Sequence, residues 1–381
     1  MKNKLTIILT IIFSTLFIIL GYYITKNDVI ESVPQEFSIA TVTKVEEKFE
    51  KDVPSANGNI TETHTPFTAK ITSGYKKGAI VEATQLDESG TAFKKKIVEV
   101  NDKVLITYSP YDNNNQGGYI FVDYNKIPAI IFLILLFLAL IIIIGKFKGL
   151  ATILSLLFTC LSIFFIYIPG IIKGFNIYYL TIIVSFYIIV VSLILINGLN
   201  KKTICAILGN FAGIIITGAL ALFFNYILKI TGLIDTDYIF LTLLNPDHPI
   251  DLKALVWGGI IIGAIGAIMD VSMSISSSMN ELAEHMKEKS FIKMFKSGMN
   301  IGKDIIGTMT NTLILAYIGS SIATVLLLSA YSKNLYYIFN LEMIVTQITQ
   351  SIIGSIGILV AVPTTTIVAS YLFNKKINNN K

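Results

Sequence analysis

Apolar positions follow two rhythms along this chain. Residues 25–126 alternate apolar and polar positions in short runs between turn residues, the period-two pattern of half-buried strands. On either side, apolar residues form unbroken blocks of about twenty, the length an α-helix needs to cross the hydrocarbon core of a bilayer. The first block runs from Leu5 to about Ile24. Later blocks fall at 128–145, 149–168, 176–197, 203–228, 252–274, 306–330 and 343–373. Together they predict eight transmembrane helices. The last is long enough to tilt, or to break at Pro363.

The first block follows Lys2 and Lys4 and can be read as a secretory signal peptide or as an anchor. Its apolar run is long, and Leu20, Gly21, Tyr22 and Tyr23 do not supply a small-x-small cleavage site. Both features favour an uncleaved signal anchor.

In the polar block, Ser38 to Val45 alternates through Ile39, Thr41, Thr43 and Val45. Further strands are expected at Phe67–Ile71, Ala79–Ala83, Lys96–Val100, Lys103–Tyr108 and Tyr119–Tyr124. Turns are expected at Asn57–Asn59, Ser73-Gly74, Asp87–Gly90, Asn101-Asp102 and Asp112–Gly118. Short strands with regular turns predict a small β-barrel or sandwich. The expected fold class is thus an integral membrane α-helical bundle with an all-β domain inserted after its first helix. Its parts are an anchor at 1–25, a β domain at 26–126 and a seven-helix domain at 127–381.

Composition sharpens this picture. The chain is 53% hydrophobic and 14% charged, with a mean hydropathy of +0.69, whereas soluble domains carry about 25% charged residues. A soluble enzyme or a nucleic-acid binder is excluded, and the lipid bilayer is the first partner. All 30 basic residues are Lys, a bias that reads as AT-rich codon usage and suggests a Gram-positive cell membrane. Lys2, Lys4, Lys146, Lys148, Lys201, Lys202, the five lysines from Lys287 to Lys303, and Lys375, Lys376 and Lys381 all fall on one side of the predicted spans. The opposite short loops hold only Lys173, Lys229, Lys253 and Lys333. The positive-inside rule then places both termini in the cytoplasm and the β domain outside.

Candidate chemistry is sparse. Cys160 and Cys205 lie in predicted spans and form neither a disulfide framework nor a metal motif; no metal, cofactor or catalytic constellation is expected. There is no P-loop, HExxH, G-x-S-x-G or Rossmann fingerprint. The outer loop 231–251 holds Asp235, Asp237, Asp247, His248 and Asp251 without clean ligand spacing and reads as solvated. His285 reads the same way. Phe291, Met294 and Phe295, ringed by Lys287, Lys289, Lys293 and Lys296, suggest an amphipathic segment in the inner interface.

The densest polar stretch runs from Gly258 to Glu281. Gly259, Gly263 and Ala267 are spaced by four and predict a helix-packing groove. Asp270, Ser274 and Ser277 continue the same face. A carboxylate in a span costs about 2.5–3.5 kcal/mol at the helix centre, so it usually faces the bundle or water. In the next helix Asp304, Thr308, and Asn311 or Thr312 repeat the spacing. An acid among hydroxyl and amide oxygens suits a hard cation or a proton. The competing reading makes Asp270 a structural cap and the hydroxyls packing glue, with Asp304 a favourable charge at a helix start. Pro363, Thr364, Thr365 and Thr366 form either a packing kink or a polar break lining a path. The four spans from 128 to 228 look like lipid-facing or packing helices.

The stretches GAIGAIMDVSMSISSSMNEL (263–282) and SGMNIGKDIIGTMTNTLILAYIGSS (297–321) resemble the YibE/F family of bacterial membrane proteins. ITSGYKKGAIVEATQ (71–85) and VNDKVLI (100–106) are similar to the family's β-domain pattern, with Asn101 standing where the family has Gly. The resemblance covers nearly the whole chain and implies an anchor, an outer β domain and a polytopic bundle of permease type, with no catalytic residues to carry over. The leading expectation is a gradient-driven transporter of an ion or small solute, working as a homo-oligomer or with a second membrane subunit. The alternative is a membrane scaffold or assembly factor whose outer domain binds an envelope protein, peptide or wall component.

Overall fold

The computed structural model describes residues 2–26, 37–55, 58–74, 76–88, 96–109, 117–244, 249–286, 290–331 and 334–374. Asp247, His248, Lys287, Lys289, Lys333, Lys375, Lys376, Lys381 and the turn at Asn57 lie outside them. The chain divides into two compact units: residues 28–140, and residues 1–27 together with 141–381.

The first unit holds six strands: β1 Phe37–Val45, β2 Phe49–Ser55, β3 Gly58–Ile71, β4 Ile80–Glu88, β5 Lys103–Ser109 and β6 Gly118–Tyr124. Five of them close a ring in the order β1-β3-β4-β6-β5-β1, and β2 extends it as a hairpin on β3. All pairings are antiparallel except β4 with β6, where Ala83 faces Tyr119. This small closed barrel has the strand order of an OB barrel. Its interior is narrow, so small side chains fill it beside a few larger ones: Ala40, Val42, Phe67, Ala69, Ile71, Ala83, Val104 and Ile106 are all buried. The inward face of β1 is therefore Ser38, Ala40 and Val42. Residues 96–100, expected as a strand, are irregular. Gln85 pins them instead, donating to the Lys96 carbonyl and accepting from the Val98 amide. Asn101 has φ +76°, the left-handed conformation that only Gly and Asn adopt cheaply.

Seven helices are long and apolar enough to cross a membrane among the described residues. They include α1 Lys2–Thr25, α4 Ile177–Asn197, α5 Lys201–Ile227, α7 Leu252–His285, α8 Phe291–Tyr331 and α10 Glu342–Asn374. The seventh runs from Ile127 to Ile172 as α2 (Ile127–Ser162), a π-helical turn (Ile163–Tyr167) and α3 (Ile168–Ile172). It breaks at Lys146, where φ is 49° and ψ −125°. Two short helices, α6 (Thr236–Leu243) and α9 (Leu335–Ile338), were not expected.

Several sequence-based boundaries move. The amphipathic segment at Phe291 is no separate connector but the start of α8, which continues through the expected span. Asp304 therefore lies inside a helix and is not an N-terminal charge. Pro363 does not break α10. Of the expected lipid-facing or packing helices, α5 is a packing one: α5, α7 and α10 pack on one another at the centre of the second unit. Glycine explains why they approach so closely. A methyl on Gly213 would stand 2.9 Å from Ile268 and 3.0 Å from the Gly357 carbonyl, and one on Gly209 would overlap Thr365 Oγ1. The Trp257 indole donates to the Gly218 carbonyl at 2.9 Å, fixing α7 against α5. α1 docks through a Phe17–Tyr187 ring stack at 4.2 Å and a bond from Thr25 Oγ1 to the Phe165 carbonyl.

Candidate functional site

α7 forms because thirty-four residues run without proline after Asp251, which caps it by accepting from the Ala254 amide. One of its faces packs inward through Ile260, Ile261, Ala264, Ile265, Ile268, Val271 and Ile275. The opposite face carries Gly259, Gly263, Gly266, Asp270 and Ser274, all exposed. Ala267 and Ser277 flank it, half-buried. The i, i+4, i+7 spacing puts these residues on one stripe.

α8 runs antiparallel beside α7. A methyl on Gly302 would touch Ile275, and one on Gly263 would stand 2.5 Å from Tyr317 Oη. Interpolating between these contacts places Asp270 at the depth of Thr308. Asp270 and the α8 residues Thr308, Asn311 and Thr312 are all exposed, on faces that the described residues leave open. Among the described residues, no hydrogen bond or ion pair engages the Asp270 carboxylate. Thr308 Oγ1 donates to the Ile305 carbonyl at 2.9 Å, and Thr312 Oγ1 to the Thr308 carbonyl at 2.8 Å. Each hydroxyl proton is committed to its own helix, so the oxygen lone pairs are what these threonines can offer a ligand. Asn311 and Asp304 are exposed on the same helix.

Towards the start of α7 lies a mostly apolar cavity of about 590 Å³, in which Asp237, Tyr317 and Gln350 stand beside Leu241, Leu255 and Ile262 and the glycines Gly259 and Gly263. A methyl on Gly263 would crowd the Tyr317 hydroxyl, and one on Gly259 would lie 4.0 Å from the Gln350 amide. Gly259 and Gly263 therefore line a cavity, Gly263 also lying close under Tyr317 of α8, while further close helix contacts lie at Gly209, Gly213, Gly302 and Gly357. Tyr167, on the π-helical turn, bonds Thr181 at 3.0 Å. A π turn inside a helix often marks a functional position. At the cavity mouth Asp235 caps α6, accepting from the Asp237 and Tyr238 amides. Burial, and then the nearby Asp235 carboxylate, push the Tyr238 phenol above its ordinary range. Glu342 accepts from the Thr231 amide and hydroxyl and from the Gly232 amide, tying the α5–α6 loop to the start of α10.

In the central three helices sequence reasoning missed Asn210, Ser272 and Ser370, whereas Thr365 was among the residues singled out. Asn210 is fully buried on α5, with neither end of its amide hydrogen-bonded; Ser272, Thr365 and Ser370 hydroxyls are buried and also unbonded. An Asn amid Gly209 and Gly213 in an apolar span was the available signal. Among the described residues, no cluster of His, Cys, Asp and Glu could hold a metal ion.

A family model described as YibE/F-like protein matches residues 133–375. No curated protein and no solved structure matches the chain.

Proposed function

The chain belongs to the YibE/F-like family, and we propose that it moves an ion or small solute across a bilayer, driven by a gradient. One observation carries this reading: the α7 stripe that borders the cavity at Gly259 and Gly263 continues inward to an unpaired carboxylate, Asp270, at the depth of Thr308. A spanning helix keeps such a group at a cost of about 2.5–3.5 kcal/mol only where it serves a ligand, water or partner. In this scheme the break at Lys146 divides 127–172 into two crossings, giving eight, and the lysine distribution puts the cavity mouth and the β-barrel outside. Ions enter past Asp237 and Tyr238, then pass Gln350 and Tyr317. Asp270 binds the cation or proton, with oxygens of Ser274, Ser277, Thr308, Asn311 and Thr312 as neutral ligands.

The open faces of α7 and α8 are completed by a second copy or another membrane subunit, since lipid cannot solvate Asp270. The experiment is flux in proteoliposomes of purified protein under imposed Na⁺, K⁺ and proton gradients. Asp270→Asn is expected to cut the rate at least about tenfold, equivalent to 1.4 kcal/mol. Undiminished flux in that variant would remove Asp270 from the mechanism.

A further inference from the structure

The β-barrel has a groove of its own. It is a cavity of about 620 Å³ on the face of β3 and β4, flanked by the β1–β2 turn at Glu46 and the end of the β5–β6 connection at Gly117. That volume lies within the range of about 300–1,000 Å³ typical of ligand sites. OB barrels bind on this same face, between the corresponding loops, and their ligands there are oligonucleotides or oligosaccharides.

Two aromatic pairs flank the groove. On one side the Phe49 ring stacks on the His64 imidazole at 5.2 Å and 20°. On the other, Tyr108 meets Tyr119 edge to face at 5.4 Å, with Lys76 Nζ over both rings at 5.5 and 5.6 Å. Phe49 and Tyr108 remain 48% and 47% exposed. His64 is buried, and its Nε2 lies 3.3 Å from the Glu62 carboxylate.

Charge separates the two ligand classes. Binding of single-stranded nucleic acid needs a positive groove that neutralises phosphates, in addition to stacking platforms. Here Glu46 and Glu82 line the groove with Lys51, and Lys76 sits over the flanking tyrosines, so the groove carries no excess of positive charge; residues 25–126 as a whole hold 15 acidic residues against 12 Lys. Flat aromatic faces with carboxylate acceptors suit the apolar faces and hydroxyl edges of pyranose rings. We propose that the β-barrel binds a neutral oligosaccharide in this groove, with Phe49 and Tyr108 as stacking platforms and Glu46 and Glu82 accepting from sugar hydroxyls.

The test titrates full-length protein in lipid nanodiscs, by calorimetry, with tetrasaccharides of N-acetylglucosamine, glucose and mannose. Oligo-dT and an unstructured acidic peptide serve as comparison probes. At least one tetrasaccharide is expected to bind. Tyr108→Ala and Phe49→Ala should each weaken it at least tenfold, while Tyr108→Phe should stay within about threefold of the wild type. Asp270→Asn should leave sugar binding unchanged, so failure of the transport scheme and failure of this one are distinguishable. An unchanged melting temperature would show that the alanine variants still fold. Binding of oligo-dT or peptide without any sugar, or sugar affinity undiminished in the Phe49/Tyr108 double variant, would overturn the proposal.

Discussion

Two residues show how local physics sets roles at the smallest scale. Tyr124 donates its hydroxyl to the Lys96 carbonyl at 2.7 Å. Partial burial, and then the carboxylates of Asp102, Glu99 and Asp123, push its phenol above the ordinary value near 10. A raised phenol pKa means that the folded barrel prefers the neutral form. Its contribution is complete below pH 10 and is lost as pH rises through the folded value. A Tyr124→Phe variant should therefore lack the late step in phenolate absorbance during an alkaline titration. It should also lose about 0.5–1.5 kcal/mol at neutral pH, the net worth of one hydrogen bond, readable by denaturant unfolding. Asn101 makes the complementary point. Its φ of +76° explains why a Gly belongs at this turn and why Asn can replace it, so Asn101→Gly should be nearly neutral in melting temperature. A β-branched substitute such as Asn101→Val should cost about 1–3 kcal/mol.

Among the helices, spacing proved readable and neighbours did not. A four-residue repeat of small side chains was visible in α7, but small residues serve either a helix crossing or a cavity wall. In α7, Gly259 and Gly263 line the cavity and Gly263 also lies close under Tyr317 of α8; in α5 and α10, Gly209, Gly213 and Gly357 make the crossing. Gly209→Ala should therefore harm the bundle more than Gly266→Ala, since the added methyl overlaps Thr365 in the first case and meets nothing within 4 Å in the second. The expected penalty is about 1–3 kcal/mol for Gly209→Ala against little or none for Gly266→Ala, measured as detergent-solubilised melting temperatures. The same ambiguity concealed Asn210. One amide in an apolar run does not reveal whether it faces lipid, a partner helix or the centre of the bundle, and only the packing of α5 against α7 and α10 places it inside.

At the scale of the molecule, charge and hydropathy act on topology, and the lysine distribution yields a sidedness that labelling can check. In intact cells, Thr43→Cys in β1 should react with a membrane-impermeant maleimide, whereas Lys296→Cys near the start of α8 should react only after permeabilisation. The opposite pattern would invert the orientation and move the cavity mouth to the cytoplasm. Both native cysteines lie in helices of membrane length, Cys160 exposed and Cys205 buried, so a Cys160→Ser background serves as the reference.

Sequence alone determined the class of this protein, because solvent preference is a property summed over local composition: helices of membrane length, a β-rich polar insertion, and Asp270 standing out in a span poor in charge. It also located β1, β5 and β6 to within a residue or two, since alternation and turn residues act over a few positions. Ring closure through β1 with β3 and the parallel β4–β6 pair joins segments far apart in the chain, so the groove with Phe49 and Tyr108 on its two flanks emerged only with the tertiary structure. The same holds for the π turn at Tyr167 and for the unbonded Asn210 amide. Each depends on which surfaces face one another after folding, and period and composition carry no information about partners from distant segments.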